Sequence, residues 1–493
     1  MTTSAQPYPG LPGAPTSPPK PLLEWIFEPF WPDRTTARPR LLLAAALAGT
    51  LAAVVVPYRS PGLGMFLVFA AVAGVVAASD PRLRRAPALA ALGLCLLLGS
   101  TVVLRDAEWV VVLCVLAALA VAATVLVGVD SFLGVAQAAI AVPLAGLRCL
   151  PWVGRSLVAG RPGAVGWSVA RTVVLSGVLA AVFGGLFASA DAVFSDWADA
   201  VIPDLTLDSL AARLFILGAV TGATLAFAYL GLNPPRHGRL PAPKPVARAF
   251  EWLLPVSIVV ALFATFVTAQ LTVMFGGHDY LARTTGVTYA EYVHQGFAQM
   301  CVATVLTLGV IAAAVAKAPR ESERQRLVLR GALGALGVLA LVVVASALYR
   351  IHVYEQAYGF TRLRLLVSFF EGWLGLLLVL VLVAGIRWRA GWLPQASVLT
   401  GAVALLALAG LNPDSYIAAH NVERYRDTGK IDTTYLAGLS ADAAPALTGL
   451  PADLAACVLS HPKRDDWLAW NLGRARAAGV ALPTGPCRRA RPD

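Results

Sequence analysis

Residues 317–349 read KAPRESERQRLVLRGALGALGVLALVVVASALY, and the reading of this stretch decides the fold. Lys317, Arg320, Arg324 and Arg326 form a basic block, and beyond Arg330 nothing charged follows up to Tyr349. A hydrocarbon core of roughly 30 Å needs about 20 apolar residues in a helix, whereas a spanning strand needs only about 10. The run from Leu327 to Tyr349 therefore predicts a membrane-spanning helix whose basic start is held at one surface. Gly331, Gly334 and Gly337 inside it suit close helix packing in lipid.

The same pattern recurs along the chain. Further spans are predicted at Leu41 to Pro57, Gly62 to Ala78, Ala86 to Leu104, Trp109 to Gly128, Val169 to Ala188, Leu210 to Leu232, Leu253 to Phe275, Ala298 to Ala316, Leu365 to Ile386 and Leu393 to Leu411. With Leu327 to Tyr349 they make eleven. Composition agrees: 58% hydrophobic and 14% charged residues in a chain of 493 leave too little polar surface to cover a water-soluble globule. The fold class is an all-α polytopic transmembrane helix bundle of about 11 spans, with a small helical extracytoplasmic C-terminal domain. Residues 1–40 are a disordered Pro-rich cytoplasmic tail, 41–411 the bundle and 412–493 the C-terminal domain.

Orientation follows from the cations, because Arg and Lys in short loops are retained on the cytoplasmic side. The loops on one side carry 22 of the 39 Lys and Arg residues, those on the other side 7, and the remaining 10 lie beyond residue 411. The amino terminus is then cytoplasmic and the carboxyl terminus extracytoplasmic, in a bacterial plasma membrane. Most of the +11 net charge is thereby a topological signal, so a nucleic-acid partner is excluded and membrane lipids are the expected surroundings. No apolar leader opens the chain. Pro7 through Pro21 cannot bury enough surface to fold, and the aromatics of Trp25 to Trp31 suit the headgroup layer.

Residues Phe132 to Leu147 are apolar but interrupted by Gln137 and Pro143, and read as a re-entrant or interfacial segment on the cytoplasmic side. A crossing there would invert every later loop. In the tail, Asn412-Pro413-Asp414 starts a helix over Tyr416 to Tyr425 that Gly429 stops; further helices are expected over Ala441 to Leu447 and Ala452 to Leu459. Cys457 and Cys487 are the only cysteine pair outside the spans and inner loops; a disulfide and two free thiols are both open. Cys95, Cys114, Cys149 and Cys301 read as packing residues.

Four motifs carry a resemblance. They are Tyr354 to Arg364 (YEQAYGFTRLR), Gly276 to Tyr280 (GGHDY) with Thr288 to Tyr292 (TYAEY), Phe187 to Asp191 (FASAD), and Asn412 to Asp414 (NPD) with His420 to Tyr425 (HNVERY). Together the chain resembles, from the third span to about Leu450, an uncharacterised family of multi-pass bacterial membrane proteins common in actinobacteria and defined as a domain of unknown function. The resemblance implies a membrane location and this architecture, and no catalytic residue.

Polar residues that bear on chemistry gather on the outer face. His278, His294, His352, His420 and His461 fall there, as do Asp191, Asp196, Asp199, Asp204 and Asp208, but no spacing matches a metal-binding motif, and neither metal nor cofactor is expected. The sharpest candidate is Arg350, His352, Glu355, Arg362 and Arg364, followed by Glu371 six residues inside an apolar run. A buried acid there needs a partner, for which Arg362 or Arg364 is nearest in sequence. The group is either a structural ion pair or a ligand-binding or proton-coupling site. Catalytic residues are not evident and an enzyme is not the favoured reading. The chain is expected to handle or sense a small ligand at its extracytoplasmic face, as a transporter-like or sensor-like protein. The alternative is a membrane enzyme acting on a lipid-linked substrate there, although the first outer loop, Tyr58 to Pro61, is too short to carry the acids such enzymes place in it.

Overall fold

The computed structural model describes residues 31, 34–159, 183, 187, 191, 207–235, 246, 248–284, 297–387, 390–460, 465–483 and 485–487. These residues are helical and carry no strand. Antiparallel helices α1 (Pro39–Val55), α2 (Leu63–Ser79), α3 (Ala86–Leu104) and α4 (Glu108–Val127) are followed by α5 (Phe132–Ala159) and α6 (Leu207–Leu232). A second group comprises α7 (Phe250–Thr284), α8 (Phe297–Lys317), α9 (Glu323–Tyr358) and α10 (Arg362–Arg387). Helix α11 (Leu393–Leu411) then returns to pack between α4 and α10.

Local sequence explains the boundaries. Pro stands in the first turn of α1, α3 and α11, where its missing N–H costs nothing. Ser322 and Gln325 form a reciprocal capping box on α9, and α4 ends on Gly128 in the left-handed conformation. Between helices the contacts are made by small residues: Ala45, Ala48 and Ala52 of α1 are buried, and α1 packs closely along α6. Outward-facing side chains are large and apolar, with Leu47 of α1 61% exposed and Leu262 of α7 64%. Such a surface is stable only against lipid, so the chain is a multi-pass membrane protein.

Ten of the eleven expected spans coincide with described helices. The other, Val169 to Ala188, lies outside the described residues apart from Phe183 and Phe187. Arg34, Arg38, Arg82, Arg85, Arg248, Lys317 and Arg320 all lie at one end of the bundle, called here the basic end. The opposite end, the cap end, holds the carboxyl-terminal helices. Ser156, before the undescribed stretch, accepts from the Ala37 amide at the basic end; Arg213, after it, donates to the Ala53 carbonyl at the cap end.

Helix α5 carries the interrupted apolar segment. At 28 residues, or about 42 Å, it is long enough to cross a membrane, and it continues through both Pro143 and Pro151. Its packing is nevertheless that of a helix laid across the basic end. Ala138, Ala141, Ala145, Cys149 and Trp152 form one stripe at helical spacing, buried against Leu126 and Val127 of α4, Tyr229 and Leu230 of α6, and Trp31. The Trp152 indole donates to the Thr35 carbonyl at 2.7 Å. A helix crossing back beside α4 would carry Trp152 toward Glu108; instead Trp152 meets Thr35 and Tyr229 at the basic end. Both ends of this helix therefore lie at the basic end, and it runs twelve residues further than Leu147.

The cap consists of α12 (Pro413–Thr428), α13 (Thr433–Ala437), α14 (Ala444–Leu447), α15 (Ala452–Val458) and α16 (Leu472–Ala478). Its own small core contains Ala418, Val422, Leu436, Leu447, Leu454 and Val458. Cys457 and Cys487 are disulfide-bonded at its edge. The expected helices at Tyr416 to Tyr425 and Ala452 to Leu459 are present, and Gly429 ends the first in the left-handed conformation. The Pro-rich tail, the Trp25 to Phe30 segment, His294, His461, Asp196, Asp199 and Asp204 lie outside the described residues, as do the side chains of Asp208 and of His278, whose backbone belongs to α7.

Candidate functional site

Two sites compete at the cap end, and the candidate group read from the sequence divides between a structural lock and a deeper acid. The lock joins the α9–α10 hairpin to α12. Gly359 adopts φ 84° between the two helices, and an added Cβ there would stand 2.6 Å from Asn421 Oδ1. That close approach lets Asn421 bind Phe360 twice, accepting from its N–H at 3.0 Å and donating to its carbonyl at 2.9 Å. Arg424 donates to the Ala357 carbonyl at 2.8 Å. Arg362 meets Asp414 with both Nε (2.9 Å) and Nη2 (2.5 Å), while the Ser440 amide and the Trp109 indole donate to the same carboxylate. Burial pushes the Asp414 carboxyl up, but the hydrogen bonds from Arg362 and Ser440 outweigh it and hold the group below the usual carboxylate value. The motifs YEQAYGFTRLR, NPD and HNVERY are thus two faces of one contact.

This geometry corrects the expected pairing. Arg362 is committed to Asp414, and Arg364 lies 4.3 Å over the Tyr354 ring and donates to the Gly359 carbonyl. Neither reaches Glu371. Glu355 is buried near Arg364, with Oε1 unpartnered; His352 is exposed and bonded to Gln356; Arg350 is buried. Glu371 is completely buried between α10 and α8, where Oε1 lies 3.0 Å from the Thr304 hydroxyl, Cys301 is its neighbour, and Oε2 has no partner. Thr304 lies equally close to the Met300 carbonyl, and one hydroxyl hydrogen cannot serve both acceptors. Among the described residues no three His, Cys, Asp or Glu side chains converge as a metal site requires.

The other site was not legible from sequence. A cavity of about 1200 Å³ opens between α2, α4 and α6 under the cap. Met65, Phe69, Val115, Leu116, Ala219 and Phe227 are among its apolar walls, and Leu439, Ala444 and Leu447 of the cap roof it. A second apolar cavity of about 100 Å³ shares Phe69, Val72, Leu119 and Phe227 with it and reaches down to Leu83 and Leu126 near the basic end. Helices α4 and α6 meet at that end, where Leu126 packs on Gly231, and the space lies above this contact.

Among the described residues, the charged side chains that line the cavity lie at its cap end: Arg105, Asp106, Glu108 and Arg474. Arg474 is consumed by the fold, donating to Asp465 at 2.8 Å, Asp106 at 2.7 Å, and the Pro61 and Ala469 carbonyls. Arg105 donates to the carbonyls of Leu104, Ala409 and Gly410. Asp106 accepts from Arg474 and from the Ala441 amide. Beside it, Asp442 Oδ2 accepts from the amides of Asp106 and Ala107, and burial lifts its carboxyl above the ordinary value. Asn471 clamps the end of α3 by donating to the Val102 and Arg105 carbonyls. Glu108, in the first turn of α4, is exposed and has no hydrogen-bond or ion-pair partner among the described residues. An acid in that turn, two positions after Asp106, was the one available sequence signal.

No curated protein and no solved structure matches this chain. The family defined as a domain of unknown function, DUF4153, matches residues 92–450, the region that holds the hairpin lock, Glu371 and most of the cavity wall, and the chain belongs to that family.

Proposed function

We propose that this protein binds an amphipathic, lipid-like molecule in the cavity beneath its cap, at the extracytoplasmic face of a bacterial plasma membrane. The carrying observation is the cavity itself, an apolar slot whose charged groups, among the described residues, lie at the cap end. Its volume of about 1200 Å³ exceeds the roughly 300–1,000 Å³ of small-molecule pockets, which favours an extended chain over a compact solute. A polar solute would lose its hydration against these walls with nothing in return. An acyl or isoprenoid chain exchanges one apolar surrounding for another, so selection falls to the head group at the rim. This reading keeps the expected ligand handling at the outer face and moves it away from Arg350, His352 and Glu355.

The segregation of Arg and Lys to the basic end supports a cytoplasmic amino terminus and an extracytoplasmic cap. The Cys457–Cys487 bridge supports the same placement, since disulfides persist outside the cytoplasm. The excess of Arg over Lys suits an actinobacterial, high-GC source.

The test is mass spectrometry of the protein purified in mild detergent. A co-purifying amphiphile near one per chain is expected, and Val115→Trp and Ala219→Trp, which fill the slot, abolish it. An identical lipid complement in wild type and both variants refutes the reading. An alkaline phosphatase reporter, active only when exported, fused after Asp493 checks the orientation; a fusion that is present and inactive would overturn it.

A further inference from the structure

The cavity's charged rim carries information on the ligand's head group beyond its amphipathic character. We propose that the head group is cationic, an amine held by Glu108, and not a phosphate. The inference rests on the cavity being the binding site.

Phosphate recognition needs N–H groups that are free to turn toward the ligand. The two arginines on the rim are already bound into the fold, Arg474 through every nitrogen and Arg105 through three of its five N–H groups. Every nitrogen of Arg474 already donates, to two carboxylates and two carbonyls that tie the α1–α2 loop and the cap together. Drawing it onto a phosphate would strand Asp106 and Asp465 beside each other and unpair the Pro61 and Ala469 carbonyls. Arg105 likewise closes the carboxyl-terminal turn of α11 through Ala409 and Gly410. The acids differ from one another in the same respect. Asp106 has a donor on each oxygen, whereas the Glu108 carboxylate stands exposed on the cavity wall with no donor among the described residues. The unspent charge at the head-group level is therefore negative. Its complement is an ammonium, whose attraction to an exposed carboxylate is short-ranged and weakened by salt.

Three probes with one chain separate the possibilities: hexadecylamine, hexadecanol and hexadecyl phosphate, titrated against the full protein in nanodiscs. Val115→Trp nanodiscs supply the background from partition into lipid. Wild type is expected to bind all three above that background, the amine about tenfold more tightly than the phosphate. Glu108→Gln should remove this preference, and 1 M salt should shrink it in wild type. Tightest binding of the phosphate, or an amine preference untouched by Glu108→Gln, overturns the head-group inference while the cavity reading survives. Equal behaviour of wild type and Val115→Trp toward every probe removes the cavity reading, and this inference with it.

Discussion

Replacing Asp414 by Asn changes one atom in the lock between the hairpin and the cap, and the structure sets the size of the effect. Asp414 Oδ1 accepts from Arg362 Nε and the Trp109 indole, and Oδ2 accepts from Arg362 Nη2 and the Ser440 amide. An amide has a single oxygen, so either rotamer turns an NH2 toward one guanidinium N–H and one neutral donor. The neutral donor, left buried and unpaired, costs about 1–3 kcal/mol. Arg362 is 35% exposed and regains water, so its lost bond counts for about 1 kcal/mol. Roughly 3 kcal/mol is then lost from the docking of α12, which corresponds to exchange of its amides on the order of a hundredfold faster. Hydrogen exchange over Ile417 to Val422 in detergent reads this directly. Arg362→Met should cost less, and the double variant should show coupling between the two sites. Acceleration below threefold in Asp414→Asn would refute the lock and return Arg362 to the pool of groups available for a ligand.

Asp442 supplies the contrast. All three of its donors, the amides of Asp106 and Ala107 and the Ser440 hydroxyl, converge on Oδ2, so Asn in one rotamer retains them, and Asp442→Asn should alter cap stability by less than about 1 kcal/mol in the same measurement. The two acids also oppose each other in pH. Asp414 is lowered in the folded state, so its contribution is complete above the unfolded value of about 3.9 and disappears as pH falls through the folded one. Asp442 is raised by burial, so stability falls as pH rises from about 3.9 through its folded value, and Asp442→Asn should erase that slope. Opening the Cys457–Cys487 bridge frees a 30-residue separation and should cost the cap about 3 kcal/mol, read as faster proteolysis of the reduced protein; equal cleavage rates would show that the bridge constrains nothing. Glu371→Leu removes a buried carboxyl with an unpartnered oxygen, while Thr304 keeps the Met300 carbonyl, so thermal stability should rise by about 1–3 kcal/mol. Loss of stability there would mean that the acid is a structural partner after all.

The membrane bundle was legible because bilayer thickness translates into a run length and cation retention into an alternation, and both are local properties of the chain. The same logic placed the Gly429 helix stop and found Cys457 and Cys487 as the one pair outside the spans. Partnership was not local. Arg362 stands nine positions from Glu371 in sequence and still pairs with Asp414, fifty-two positions away, because the hairpin turns its guanidinium toward the cap. Residues 132–159 show the limit from the other side. Their apolarity licensed both a span and a surface helix, and only the stripe from Ala138 to Trp152, packed on the ends of α4 and α6, decided between them. The cavity is the extreme case: Phe69, Val115 and Ala219 look like any lipid-facing residues, and the space between them exists only through the way α2, α4 and α6 are held apart beneath the cap. By itself the sequence determined which segments are long and apolar enough to enter a membrane and which end carries the cations, since hydrophobicity and charge act residue by residue. Tertiary structure alone decided which acids are paired and where an empty volume lies, since both depend on side chains brought together from distant helices.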